Sequence, residues 1–206
     1  KAVEVCRRLV DAGAHVVPVM TEGAEHFVGR TTFSALASEP VRTSLWEGDD
    51  PIPHTRLGQT ADLVLVAPAT ARVLAEYATG LSVDLLTNVL IATRAPVIVC
   101  PAMHTEMWEQ SVVQENLALL RRRGVLIVEP DVGELAGGDV GKGRLPSPER
   151  IFDLVEAVTK GFRGPLSGQR VLVSAGGTIE SIDPVRVLSN RSSGRQGHAM
   201  AEVASR

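Results

Sequence analysis

Two short apolar runs constrain this chain more than any other feature. Ala61-Asp62-Leu63-Val64-Leu65-Val66 breaks off at Ala67-Pro68-Ala69-Thr70, and Val97-Ile98-Val99-Cys100 breaks off at Pro101-Ala102-Met103-His104. Short apolar runs bounded by turn residues read as buried strands. After the first turn, Val73, Leu74, Tyr77 and Ala78 recur at helical spacing. After the second, the spacing predicts a long helix over Glu106 to Arg123, with Trp108, Val112, Leu117 and Leu120 inward and Gly124 as its stop. Strand, turn and helix in repetition imply an α/β fold with a parallel sheet flanked by helices. Ligands of such sheets lie beyond the carboxyl ends of the strands, so the two Pro-Ala turns are the expected site.

The remaining segments extend this pattern. Ala2, Cys6, Leu9 and Val10 predict a helix closed at Gly13. Val16 to Met20 reads as a strand, and Pro18 within it implies an edge or irregular position. Thr21 suits an N-cap. Phe27, Val28, Phe33, Leu36 and Ala37 mark one or two short helices, Val41 to Trp46 a possible strand, and Glu47 to Pro53 a polar loop delivering His54. Val125 to Val128 is a further strand. Gly133, Gly137, Gly138, Gly141 and Gly143 then crowd into a segment expected to be a mobile loop ending at Arg144. Ser147-Pro148 starts a helix to about Lys160, with Ile151, Leu154, Val155 and Val158 inward. Polar, Gly- and Pro-containing residues 161–169 predict a linker, and Arg170 to Ser174 a strand opening a second α/β unit at Ala175-Gly176-Gly177-Thr178. The expected domains are therefore 1–160 and 170–206.

Composition excludes several classes. A net charge of −3, with Arg121-Arg122-Arg123 as the only basic run, gives no nucleic-acid footprint. Two cysteines, Cys6 and Cys100, suggest neither a metal site nor a disulfide framework and favour a cytoplasmic location. No apolar run approaches the roughly 20 residues that span a bilayer. With 3% aromatics in 44% hydrophobic residues, the core must be aliphatic.

His54 before Ala67-Pro68-Ala69-Thr70-Ala71, then Asp84-Leu85-Leu86-Thr87, then Pro101-Ala102-Met103-His104 and Met107-Trp108, resemble the flavin-dependent cysteine decarboxylases. The resemblance spans the chain. It is strongest to the bifunctional phosphopantothenoylcysteine decarboxylase/phosphopantothenate–cysteine ligases of coenzyme A synthesis. It implies a Rossmann-like, three-layer αβα flavoprotein whose leading strand and phosphate loop would precede Lys1. It also implies FMN as cofactor and 4'-phosphopantothenoylcysteine as substrate, decarboxylated to 4'-phosphopantetheine. The implied assembly is homotrimers grouped into a dodecamer, with flavin sites between subunits. Thr21, Ala67, Pro68, Ala69, Thr70, Asp84 and Met103 would meet the flavin. Met107, Gly137, Lys142 and Arg144 would meet the substrate, the last two at its phosphate, from a flap. Residues 170–206 resemble the opening of the ligase domain, which uses CTP and Mg2+, through Gly177, Thr178, Asp183 and Asn190. That stretch is too short for a nucleotide-binding domain, so this chain alone is expected to lack ligase activity.

A cysteine carboxylate cannot leave as CO2 without an electron sink. In the family, flavin oxidation of CH2–SH to a thioaldehyde provides one, and the protein manages protons. His54 is the acid–base candidate, because imidazole titrates near neutral pH. Three positions depart from the family. Arg72 stands where Asn is usual. His104 stands where an Asn holds the substrate carboxylate, and Gly137 where a Cys protonates the ene-thiolate. His104 is expected to take both roles, to bind the carboxylate and to supply the proton; the alternative is that it only binds, and water or Asp139 donates. The alternative is a flavin-binding regulatory protein that kept the fold and lost the chemistry.

Overall fold

The computed structural model describes residues 1–47, 50–161, 166, 169–189 and 192–204, in two units, Lys1–Val155 and Glu156–Arg206. The first opens with helices α1 (Ala2–Asp11), α2 (Glu22–Glu25), α3 (Arg30–Leu36) and α4 (Pro53–Thr60). Strand β1 (Val64–Ala69), helices α5 (Ala71–Thr79) and α6 (Leu85–Ala92), strand β2 (Val97–Pro101), helices α7 (Thr105–Glu109) and α8 (Ser111–Arg122), and strand β3 (Leu126–Ile127) follow. The three strands form a parallel sheet in the order β1-β2-β3. Every residue of β2 is buried. Side chains alternate across a strand, so Val97 and Val99 share one face, and Ile98 and Cys100 fill the other. Val97 and Val99 join Val66, Val73, Leu74, Leu117 and Leu120 in the main core, where α5 packs on α8. A second cluster, Leu57, Leu85 and Val89, joins α4 to α6.

Up to the end of α8, four expectations need correction. Val16 to Met20 and Val41 to Trp46 are not strands: they meet in a single parallel bridge, Val19 with Arg42, where Arg42 N–H reaches the Pro18 carbonyl at 2.9 Å. Pro18 has no N–H with which to extend a ladder. Strand β1 does not stop at Val66 but runs to Ala69, its register shifting between Val66 and Ala69, where Pro68 again offers no donor. His54 is not at the end of a loop: it occupies the first turn of α4, behind Pro53 at the position where proline best starts a helix.

The fourth is the long helix. Gln110 is extended (φ −60°, ψ 133°), so α7 ends and α8 begins anew. The restart rotates the inner face: Val113 is buried, whereas Val112 is 59% exposed. Leu117→Ala is therefore expected to cost about 2–5 kcal/mol, through lost burial and the cavity left behind. Val112→Ala is expected to stay within about 0.5 kcal/mol. Urea unfolding midpoints compare the two.

The Gly-dense segment folds as an antiparallel hairpin of β4 (Asp131–Glu134) and β5 (Val140–Arg144). Helix α9 (Pro148–Gly161) follows, with Ile151 and Val155 buried, and the boundary between the units falls within it. In the second unit Arg170 to Ser174 does not form the expected strand. An antiparallel hairpin, β6 (Ile179–Ser181) with β7 (Val187–Ser189), and helix α10 (Arg195–Ala204) are its regular elements. Among the described residues no helix is long and apolar enough to cross a membrane.

Candidate active site

The carboxyl ends of β1 and β2 converge: the N–H of Ala102 donates to the carbonyl of Ala69 at 3.1 Å. Just beyond β1, Thr70 caps α5, its Oγ1 accepting from Val73 N–H at 3.3 Å. Thr21 caps α2 in the same way, through Ala24 N–H at 3.3 Å. The side chain of Ala69 is wholly buried in the core, Ala67 is half-buried, and Pro68 and Thr70 are exposed. Asp84 caps α6 in a reciprocal box with Thr87, accepting its N–H at 2.8 Å. Its other oxygen lies 3.8 Å from Arg72, which bonds Glu76 at 2.6 Å.

Beyond β2 the β4–β5 hairpin lies directly on the chain. Met103 N–H donates to Gly143 O at 3.0 Å. A Cβ at Gly143 would be driven into the Met103 carbonyl oxygen, and one at Gly141 into Thr105 Oγ1. These two positions, alternate on β5, share the face laid against residues 103–105. Met103 is half-buried against the main core. His104 is the N-cap of α7 but makes no capping bond with its side chain. Its Nδ1 instead approaches Asp139 Oδ2 at 3.8 Å. Glu106 belongs to the same cluster, with candidate ligand atoms of the three residues within 4.8 Å of one another. Met107 is 47% exposed.

The structure thus brings Met103, His104, Gly137, Asp139 and the hairpin together. Thr105 was not among the site residues singled out from sequence, and Asp139 entered there only as an alternative proton donor; that it stands beside the imidazole is evident only once the hairpin is seated. Lys142 is engaged elsewhere: Nζ bonds Glu129 at 2.6 Å and stands 5.3 Å over the Trp108 ring. The Lys142 hydrogen bond holds the Glu129 carboxyl below the usual carboxylate range, against the opposing effect of burial. Arg144 is exposed and, among the described residues, in no ion pair. His54 stands apart. Its Nδ1 is buried without a partner, and among the described residues no ion pair joins it to another candidate. Neither cysteine is a site thiol: both are buried, and burial pushes the Cys100 thiol up to about 12.

The flavoprotein family model matches residues 1–160. The chain belongs to the flavoprotein family. The model of the DNA/pantothenate metabolism flavoprotein C-terminal domain matches residues 166–206. Among this flavoprotein's relatives is the coenzyme A biosynthesis bifunctional protein CoaBC of Mycobacterium tuberculosis. It is 49% identical over 207 residues, which cover 99% of the chain and 50% of the relative. The chain thus spans about half the length of the curated relatives it matches. A PPC decarboxylase with a cysteine-to-serine substitution, solved with pantothenoylaminoethenethiol, superposes with a TM-score of 0.67 at 30% identity. That match covers 76% of this chain and 88% of the other. The FMN binding protein AtHal3 superposes at 0.66 with 29% identity, over 76% and 87% of the two chains.

In the second unit, Asp183 Oδ1 accepts from the N–H groups of Val185 (2.9 Å) and Arg186 (2.7 Å), closing the turn between β6 and β7. An open concavity of about 590 Å³ is lined by Ser174, Gly176, Ser192 and Arg195 among others. Gly177 and Thr178 are exposed between that lining and β6, and Asn190 lies outside the described residues.

Proposed function

We propose that this chain is the decarboxylase part of a protein of coenzyme A synthesis, converting 4'-phosphopantothenoylcysteine to 4'-phosphopantetheine and CO2 with FMN. One observation carries the reading: the hairpin is seated on residues 103–105, presenting an imidazole and a carboxylate beyond the end of β2. The residues present fit FMN. The exposed hydroxyl of Thr70 at the start of α5, the backbone of Ala67 to Ala69, the Thr21 cap and half-buried Met103 offer both polar and apolar contact. The orphaned Nδ1 of His54 is a polar group without a partner in the single chain. When bound, FMN supplies the reversible two-electron oxidation that creates the electron sink.

The chain's own residues do the rest. His54 takes the thiol proton. His104 binds the carboxylate by a charge-assisted hydrogen bond, then gives a proton to the carbon that CO2 leaves. Asp84 fixes the start of α6 beside Arg72, and Arg144 is the hairpin cation that meets the substrate phosphate, with Lys142 in reserve behind Glu129. Met107 and the backbone at Gly137 border the substrate. The protein works as a homo-oligomer, trimers grouped into a dodecamer, in the cytoplasm. In the full-length protein, CTP and Mg2+ serve a ligase domain to which Gly177, Thr178, Asp183 and Asn190 belong.

A second reading, a flavin-binding protein without catalysis, is favoured by the lack of any thiol on the hairpin. Flavin absorbance, CO2 release and mass spectrometry of the products distinguish the two. Phosphopantetheine formed from phosphopantothenoylcysteine is the expected result, and bound flavin without CO2 release would establish the second reading.

A further inference from the structure

Resting on the decarboxylase reading, we propose that Asp139 is the positioning residue for His104. Its carboxylate, carried on the hairpin, turns the imidazole so that Nε2 faces the substrate carbon, and the acid is complete only while the hairpin is seated.

The imidazole and its partner come from different elements. His104 sits at the start of α7 with its ring unused for capping, so no capping bond fixes the ring. Asp139 is held by the hairpin turn, where its carbonyl accepts from Leu135 N–H at 2.8 Å. The carboxylate meets the Nδ1 side of the ring at 3.8 Å, an ion-pair approach longer than a hydrogen bond. Such contacts are often long in unliganded sites and tighten with substrate. The adjoining Cε1 edge of the ring lies where residue 137 has no side chain. A Cβ there would stand 3.0 Å from His104 Cε1, 3.7 Å from Nε2 and 2.8 Å from Asp139 Oδ1. Gly137 therefore keeps open the space that the pair occupies. Glu106, the other carboxylate of the cluster, is exposed on α7 and moves with His104 whatever the hairpin does. Among the described residues, Asp139 is the hairpin side chain with an ion-pair approach to the ring.

The step balances without another reagent. Loss of CO2 leaves an ene-thiolate. The Nε2 proton passes to the carbon that lost CO2, the carbon–carbon π pair forms the new C–H bond, and a sulfur lone pair closes a C=S bond. Neutral imidazole remains, paired through Nδ1–H with Asp139, and water reprotonates it. A carboxylate on Nδ1 sets the ring orientation and the nitrogen presented, without itself becoming the acid.

Asp139→Asn keeps the shape and removes the charge. In the FMN-loaded protein it is expected to lower thiol formation more than CO2 release. The ratio of unreduced ene-thiol to phosphopantetheine should rise at least about tenfold, a small part of what a positioned acid contributes. Asp139→Glu should restore part of the reduced product, and Glu106→Gln should leave the ratio unchanged. Gly137→Ala, which removes no functional group, should reproduce the Asp139→Asn ratio by displacing the pair. In the flavin-free protein, the ring-nitrogen NMR signals of His104 should move in Asp139→Asn and not in Glu106→Gln. An unchanged product ratio in Asp139→Asn, or a fall of CO2 and thiol in parallel, would overturn this inference alone. A wild-type protein that releases no CO2 would overturn the functional reading and this inference with it.

Discussion

His54→Asn is expected to lower CO2 release by about 10²–10⁴-fold, the range a positioned acid–base group contributes, while the protein stays folded and loaded with FMN. The structural reason to expect intact folding is the state of the ring. His54 is only half-buried, and its buried Nδ1 makes no hydrogen bond, so no internal partner is orphaned by its removal. Helix α4 is held by other residues: Pro53 and Leu57 are buried, and Leu57 packs with Leu85 and Val89 of α6. Asparagine retains polarity and hydrogen bonding but cannot exchange a proton near neutral pH. Thermal melts and flavin absorbance should match wild type while CO2 trapping shows the loss. A variant within a few-fold of wild type would remove His54 from the mechanism.

Gly143→Ala is expected to cost about 10²-fold in phosphopantetheine formation, the scale of a misplacement of roughly 1 Å at a reacting group. The added methyl has nowhere to go. It would enter the Met103 carbonyl oxygen, and its next neighbour, the Met103 carbonyl carbon, is 3.2 Å away. Gly143 itself is buried, and its carbonyl accepts the Met103 N–H, so relief requires β5 to lift from residues 103–105. Lifting the hairpin carries Asp139 from His104 and removes the wall of the site. The core lies elsewhere, around Leu74, Leu117 and Leu120, so global stability should change far less than turnover. Limited proteolysis should cut the hairpin of the variant faster than that of wild type, and product analysis should show the loss. Wild-type proteolysis and turnover together would show that the hairpin tolerates the methyl and is not seated as described.

Much of this was legible in the chain itself, for identifiable reasons. The β2 run was readable because a strand covered on both faces must be continuously apolar, and Val97 to Cys100 is. The helix after it was legible in content but not in phase. Nothing in the local propensity of Gln110 announces a break, yet the break decides that Val113 rather than Val112 enters the core. Apolar content likewise suggested strands at Val16 to Met20 and Val41 to Trp46. Pairing depends on what lies alongside, and the two found only each other.

What the sequence by itself determined is the order of chemistry along the chain: a parallel α/β unit, Pro-Ala turns at the strand ends, a histidine before the first, and a glycine-rich stretch ending in Arg144. These follow from local rules of period, capping and backbone freedom, which need no knowledge of distant residues. Only the tertiary structure decided which groups meet. That Asp139 lies beside His104, that Gly137 leaves room for the ring, and that Lys142 turns to Glu129 all depend on where the hairpin lands. The landing is set by backbone-to-backbone approach at Gly143 and Met103, residues forty apart in the chain, where the missing side chain is itself the contact surface. A sequence shows that a glycine is present. The fold alone shows which neighbour needs its space.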